Sequence, residues 1–85
     1  MTKANLKTIV KASDNGKRFL FLKIKTKGSS ETEIVMVYPK DIASKMARID
    51  KAYNENLELF SVDKKIRIVD AIVTSNFNIL SYFAQ

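Results

Sequence analysis

Two glycines and one proline are all the strong punctuation in this 85-residue chain, so Gly16, Gly28 and Pro39 nearly dictate where it turns. Ser13-Asp14-Asn15-Gly16-Lys17 and Gly28-Ser29-Ser30 each stand between runs that alternate apolar and polar residues, the pattern of strands joined by tight turns. Pro39 cannot donate to a strand ladder and suits the first turn of a helix. Three strands followed by a helix is the first expectation.

Register follows from the apolar pattern, because a one-residue slip turns every side chain to the other face. A two-residue Asn-Gly turn would pair Ala12 with Phe19 and set Lys7 and Lys11 beside Leu20 and Leu22. A three-residue loop with Gly16 left-handed pairs Val10 with Leu20 and Thr8 with Leu22, and keeps Leu6, Val10 and Ala12 with Leu20, Leu22 and Ile24. The second is the expected register. Across Gly28, setting Lys27 opposite Glu31 makes Lys25 meet Glu33, Lys23 meet Val35 and Phe21 meet Val37. Leu20, Leu22 and Ile24 then face Tyr38, Met36 and Ile34. An N-terminal three-stranded antiparallel meander results.

Beyond Pro39, Ile42, Met46, Ile49 and Tyr53 recur at helical spacing, and Asp41 lies where a negative charge favours the helix dipole. A helix over about 40–53 is expected, ended by Asn54-Glu55-Asn56. Lys45, Arg48 and Lys51 fall outside its apolar stripe and read as a solvated face. Leu57–Phe60 is a short strand candidate, a turn follows at Ser61–Lys64, and Lys65–Thr74 is a strand with apolar residues on both faces in its second half. The apolar stretch 75–85 contains Phe77, Ile79, Leu80, Tyr82 and Phe83; Ser75 is a candidate helix cap there, but its periodicity is mixed. The expected fold is α+β, a single domain over 1–85 in the order βββαββ with one helix on an antiparallel sheet.

Composition narrows function mainly by exclusion. With no cysteine and no histidine, disulfide frameworks, thiol catalysis, His-based triads and most zinc sites are ruled out. There is no phosphate loop and no dinucleotide-binding glycine fingerprint. Glu55, Glu58 and Asp63 are isolated and read as solvated, and Asp70 reads as an edge residue or a lysine's partner. An enzyme is not expected, nor a cofactor or metal. The first residues lack the apolar core of a signal peptide and no run approaches a membrane span, so cytoplasmic residence with no membrane partner is expected.

The chain carries a net charge of +6, and residues 1–27 alone hold eight cations against Asp14. Such asymmetry points to an anionic partner. In the expected register one sheet face presents Lys7, Lys11, Lys23, Lys25 and Lys27 interleaved with Phe19 and Phe21. Ammonium groups neutralise phosphates and aromatic rings stack on bases, which makes this face a candidate platform for single-stranded nucleic acid ahead of duplex. The sheet carries no Gly-Phe-Gly-Phe motif and no Gly-x-x-Gly clamp. The bland alternative is a second core: Phe19, Phe21, Val35 and Val37 covered by the 77–83 segment or by another subunit, with Lys25–Glu33 and Lys27–Glu31 as plain ion pairs. The functional expectation is a small accessory binding module for nucleic acid; the competing one is an inhibitor or adaptor docking on an acidic protein. A homodimer is expected too, through an exposed strand edge or the Phe19/Phe21 patch.

Overall fold

The computed structural model, which describes residues 1–59, 66–78 and 83, opens with a helix rather than a strand. Thr2 caps it: its hydroxyl accepts the Asn5 backbone N–H at 3.2 Å, and the Asn5 side-chain carbonyl accepts the Thr2 N–H at 3.0 Å. This reciprocal box satisfies two N–H groups that a helix start leaves unpaired. Helix α1 runs Lys3–Ser13. Leu6 is buried, and Ile9 and Val10 pack half-buried beside it on the same core. The first strand of the expected meander is therefore corrected to a helix. Leu6 and Val10 are four apart, a spacing that suits both periods, whereas Ile9 joins their face only at 3.6 residues per turn.

The turn at 13–17 forms, but it joins helix to strand. The Asp14 N–H closes on the Val10 carbonyl at 2.8 Å, the Asp14 carboxylate accepts the Gly16 N–H at 3.0 Å, and Gly16 sits at φ +79°. Strand β1 (Phe19–Thr26) and strand β2 (Thr32–Val37) then make the expected antiparallel hairpin. Its turn is closed by Ser29 N–H donating to the Thr26 carbonyl at 3.1 Å, with Gly28 at φ +87° in the position that needs a left-handed residue.

The hairpin register differs from expectation by one residue. Leu20, Leu22 and Ile24 face Val37, Val35 and Glu33, while Phe21, Lys23 and Lys25 face Met36, Ile34 and Thr32. The slip moves Val35 and Val37 onto the leucine face, where Val37 is buried. A buried Val37 and a half-buried Val35 outweigh two exposed Lys–Glu pairs, each worth a few tenths of a kcal/mol up to about 1. Neither Lys25–Glu33 nor Lys27–Glu31 is paired; among the described residues the ion pairs are those of Lys3 and Lys7.

After a short 3-10 turn at Pro39–Asp41, helix α2 spans Ile42–Ala52 with Ile42 and Ile49 buried and Met46 and Tyr53 packed beside them, the stripe read from the sequence. Leu57–Leu59 is no full strand, but its backbone bridges the third strand: Leu59 N–H donates to the Ile66 carbonyl at 2.9 Å and Ile68 N–H to the Leu57 carbonyl at 3.0 Å. Strand β3 (Ile66–Thr74) pairs antiparallel with the free side of β1, giving the sheet order β2-β1-β3. The register shifts by one residue at Val69, so that Lys23 faces Asp70 and Ile24 faces Ile68. The expected turn at 61–64 and most of the 75–85 segment lie outside the described residues.

Both helices cover one face of the sheet. Leu6 from α1 and Ile42 and Ile49 from α2 share a core with Leu20, Leu22, Val37, Ile68, Ala71 and Val73. The fold is α+β, two helices on a three-stranded antiparallel sheet.

Candidate functional site

Of the seven residues expected to form one basic, aromatic face, the fold keeps Phe19, Phe21, Lys23 and Lys25 on the sheet, leaves Lys27 in the turn that follows, and moves two off it. Lys7 and Lys11 belong to α1, in the helical layer on the far side of the sheet from Phe21. Lys7 is committed there, its Nζ 3.1 Å from Asp50 Oδ1. Lys3 joins the same cluster: its buried ammonium donates to the Asp50 carbonyl at 3.0 Å and lies 3.7 Å from the Asp50 carboxylate. The hydrogen bond and charge of Lys7, with the charge of Lys3, hold the Asp50 carboxyl below its ordinary value of 3.8. Lys11 is exposed in the last turn of α1, where a cation complements the helix dipole.

Phe19 and Phe21 do share the opposite face, but under cover. Phe21 is only 2% exposed, and the Phe77 ring meets it edge-on at 5.8 Å and lies 5.0 Å from Phe19. Lys23 is half-buried in the same layer, its ammonium donating to the Phe83 carbonyl at 2.9 Å and lying 5.9 Å from the Phe83 ring centre. The covered-core alternative thus describes Phe21, whereas Val35 and Val37 have gone to the other core. The apolar groups left in the open are Met36, Tyr38 and Phe77, at 40%, 52% and 59% exposure. Tyr38 touches Phe19 at 5.6 Å, and burial within the helical layer raises the Tyr53 hydroxyl above its usual 10.0.

The cations that remain exposed on the Phe21 face cluster at the hairpin end. Lys25 lies directly across from Arg67, and Lys27 follows two residues on, past the end of β1. Like charges placed directly opposite across strands repel. These three residues line an open cleft of about 700 Å³ with an apolar floor of Leu59, Ile66 and Val69. One carboxylate, Glu58, also borders it; it sits directly across from Arg67 on the side away from β1, makes no ion pair with it, and accepts from the Asn54 side-chain amide at 3.1 Å. None of the three cations has an ion-pair partner among the described residues. Arg67 was not singled out from sequence. Strand alternation sets it opposite Ile66 and Ile68, but its place beside Lys25 needs the pairing of β3 with β1, which no local pattern encodes.

Among the described residues no helix is long and apolar enough to cross a membrane, and no cluster of three metal-ligating side chains occurs. Asp70, half-buried opposite Lys23, accepts its neighbour's N–H from Ala71 at 2.8 Å. The site and fold together define a small α+β domain with a cationic cleft. In comparison with known proteins, no family model, no curated protein and no solved structure matches this chain.

Proposed function

We propose that this protein is a non-enzymatic binding module for an anionic polymer, single-stranded nucleic acid ahead of duplex, held at the Lys25–Lys27–Arg67 cleft. One observation carries the reading: Lys25 and Arg67 oppose each other across the sheet, with Lys27 beside them, and lack counter-ions among the described residues. A like-charge cross-strand pair costs stability, and a phosphate backbone relieves that cost on binding. Single strands are preferred because duplex grooves are entered by projecting helices and ribbons, whereas this site is concave. Phe21 is buried and drops out as a stacking group, and contact with bases at the cleft falls to the Arg67 guanidinium plane and the apolar floor.

Three phosphate contacts on a single strand give a plot of log affinity against log salt with a slope of about −2. Affinity for a labelled single-stranded oligonucleotide should therefore fall roughly twentyfold between about 50 and 200 mM salt. Changing Lys25, Lys27 or Arg67 singly to Gln should flatten the slope by about 0.7 each. Lys25→Gln should fold at least as stably as the wild type, because it removes repulsion. Absence of saturable binding at the lower salt sinks the reading.

The second reading, an inhibitor or adaptor on an acidic protein, draws on the open Met36, Tyr38 and Phe77, exposed apolar side chains of the kind found at the centre of protein interfaces. It becomes the better account if oligonucleotides fail to bind.

A further inference from the structure

Among the described residues β2 is an edge strand, paired with β1 on one side only. Among the described residues the sheet order leaves one side of Thr32–Val37 unpaired, and the strand contains neither a bulge nor a proline, with Glu33 its single charge. Of the devices by which natural edges block pairing, the strand carries only this charge, turned to the helix-bearing face, where a cation from a second copy would satisfy it. Beside it a groove of about 330 Å³ runs between Val35–Tyr38 of the strand and Asp41, Lys45 and Arg48 of the helical layer. Among the described residues Lys45 and Arg48 form no ion pair, and neither do Glu31 and Glu33 at the other end of β2. The edge is thus acidic where it begins and flanked by cations where it ends, so its charges are complementary to themselves when the strand is run antiparallel to itself.

We propose that β2 pairs antiparallel with β2 of a second copy about a two-fold axis at Val35, making one six-stranded sheet. In that register Val35 meets Val35, Glu33 meets Val37, and Ile34 meets Met36. Directly opposed residues across an antiparallel pair lie about 4.5–5.5 Å apart. Glu33, Val35 and Val37 point to the helix-bearing face, so each copy's Glu33 carboxylate arrives beside Val37 of the other, at the groove that Lys45 and Arg48 line. On the opposite face the exposed Met36 is covered by Ile34. Two-fold symmetry makes every one of these contacts twice, as an isologous interface requires. A register shifted by two residues either way takes Glu33 off Val37, to Val35 or to Pro39. The inference does not depend on the cleft, which lies at the hairpin end.

An interface built from one edge and one groove is small, so a dissociation constant on the order of micromolar is expected. Sedimentation velocity of the full chain over a roughly hundredfold range of concentration should show monomer giving way to dimer. Glu33→Lys should weaken the dimer about tenfold or more, and Lys45→Glu with Arg48→Glu should do the same. Combining all three substitutions should restore association toward wild type. Circular dichroism of each variant separates lost pairing from lost folding. A wild type that stays monomeric throughout overturns the proposal and leaves the edge to a strand of another protein. A dimer indifferent to the charge reversals, or one that the triple variant fails to restore, overturns the register.

Discussion

Truncating Phe21 to Ala should cost about 3–5 kcal/mol, the usual range for removing a fully buried ring, since the side chain is 2% exposed beneath Phe77. Phe77→Ala removes a ring that is 59% exposed and should cost much less. Urea denaturation of the two variants measures the difference; a Phe21→Ala loss below about 1 kcal/mol would mean the ring is not packed as described. The same residue shows why composition alone misleads about a surface. Alternation correctly placed Phe21 among lysines on the face away from the leucines, yet whether that face met solvent depended on Phe77, which lies 56 positions further along the chain. The cover also fixes Lys23, whose ammonium is drawn to the Phe83 carbonyl and ring.

At the level of elements, the parts that sequence made plain are those whose pattern fits one period only. Ile42, Met46, Ile49 and Tyr53 suit a helix and no strand, and α2 stands where it was expected. Gly28 located the β1–β2 hairpin, but its five-residue connection left the register to a contest between charge pairs and valines, and only the packed core decides that. α1 escaped because Leu6 and Val10 fit either period, and because its capping box uses Asn5 in the position where Glu or Gln is the usual signal. Lys25 and Lys27 were legible as neighbours two apart at the hairpin end, while Lys7 and Lys11 went with the misread element and Arg67 awaited a pairing 42 residues distant from Lys25. The cap itself is testable. Thr2→Ala should lower stability by about 1 kcal/mol, read as a lower thermal midpoint, while Thr2→Ser should keep most of it. Equal midpoints for the Ala variant and the wild type would show that the box contributes nothing.

Across the whole molecule, folding redistributes a charge that the sequence concentrates at one end. Residues 1–27 carry a net +7 and residues 28–63 a net −3, and the fold brings Asp50 and Glu55 of the middle segment against Lys3 and Lys7 of the first. The helical layer is thereby partly neutralised, and cations without an ion pair among the described residues are left at the hairpin end. This arrangement makes a pH dependence with a definite sign. Asp50 is held below 3.8 in the folded chain, so the unfolded chain binds its proton first as the solution is acidified. The stabilisation is fully present above about pH 4 and is lost as pH falls through the depressed folded value. Thermal midpoints measured from neutral pH down to about pH 2 should therefore fall more steeply for the wild type than for Asp50→Asn, and the two curves should converge at the acid end. Added salt should narrow the gap at neutral pH, because the pair is exposed to solvent and screened. Parallel curves would show that α1 is joined to α2 by its apolar stripe and the Lys3 hydrogen bond to the Asp50 carbonyl, with the carboxylate contributing nothing to the join.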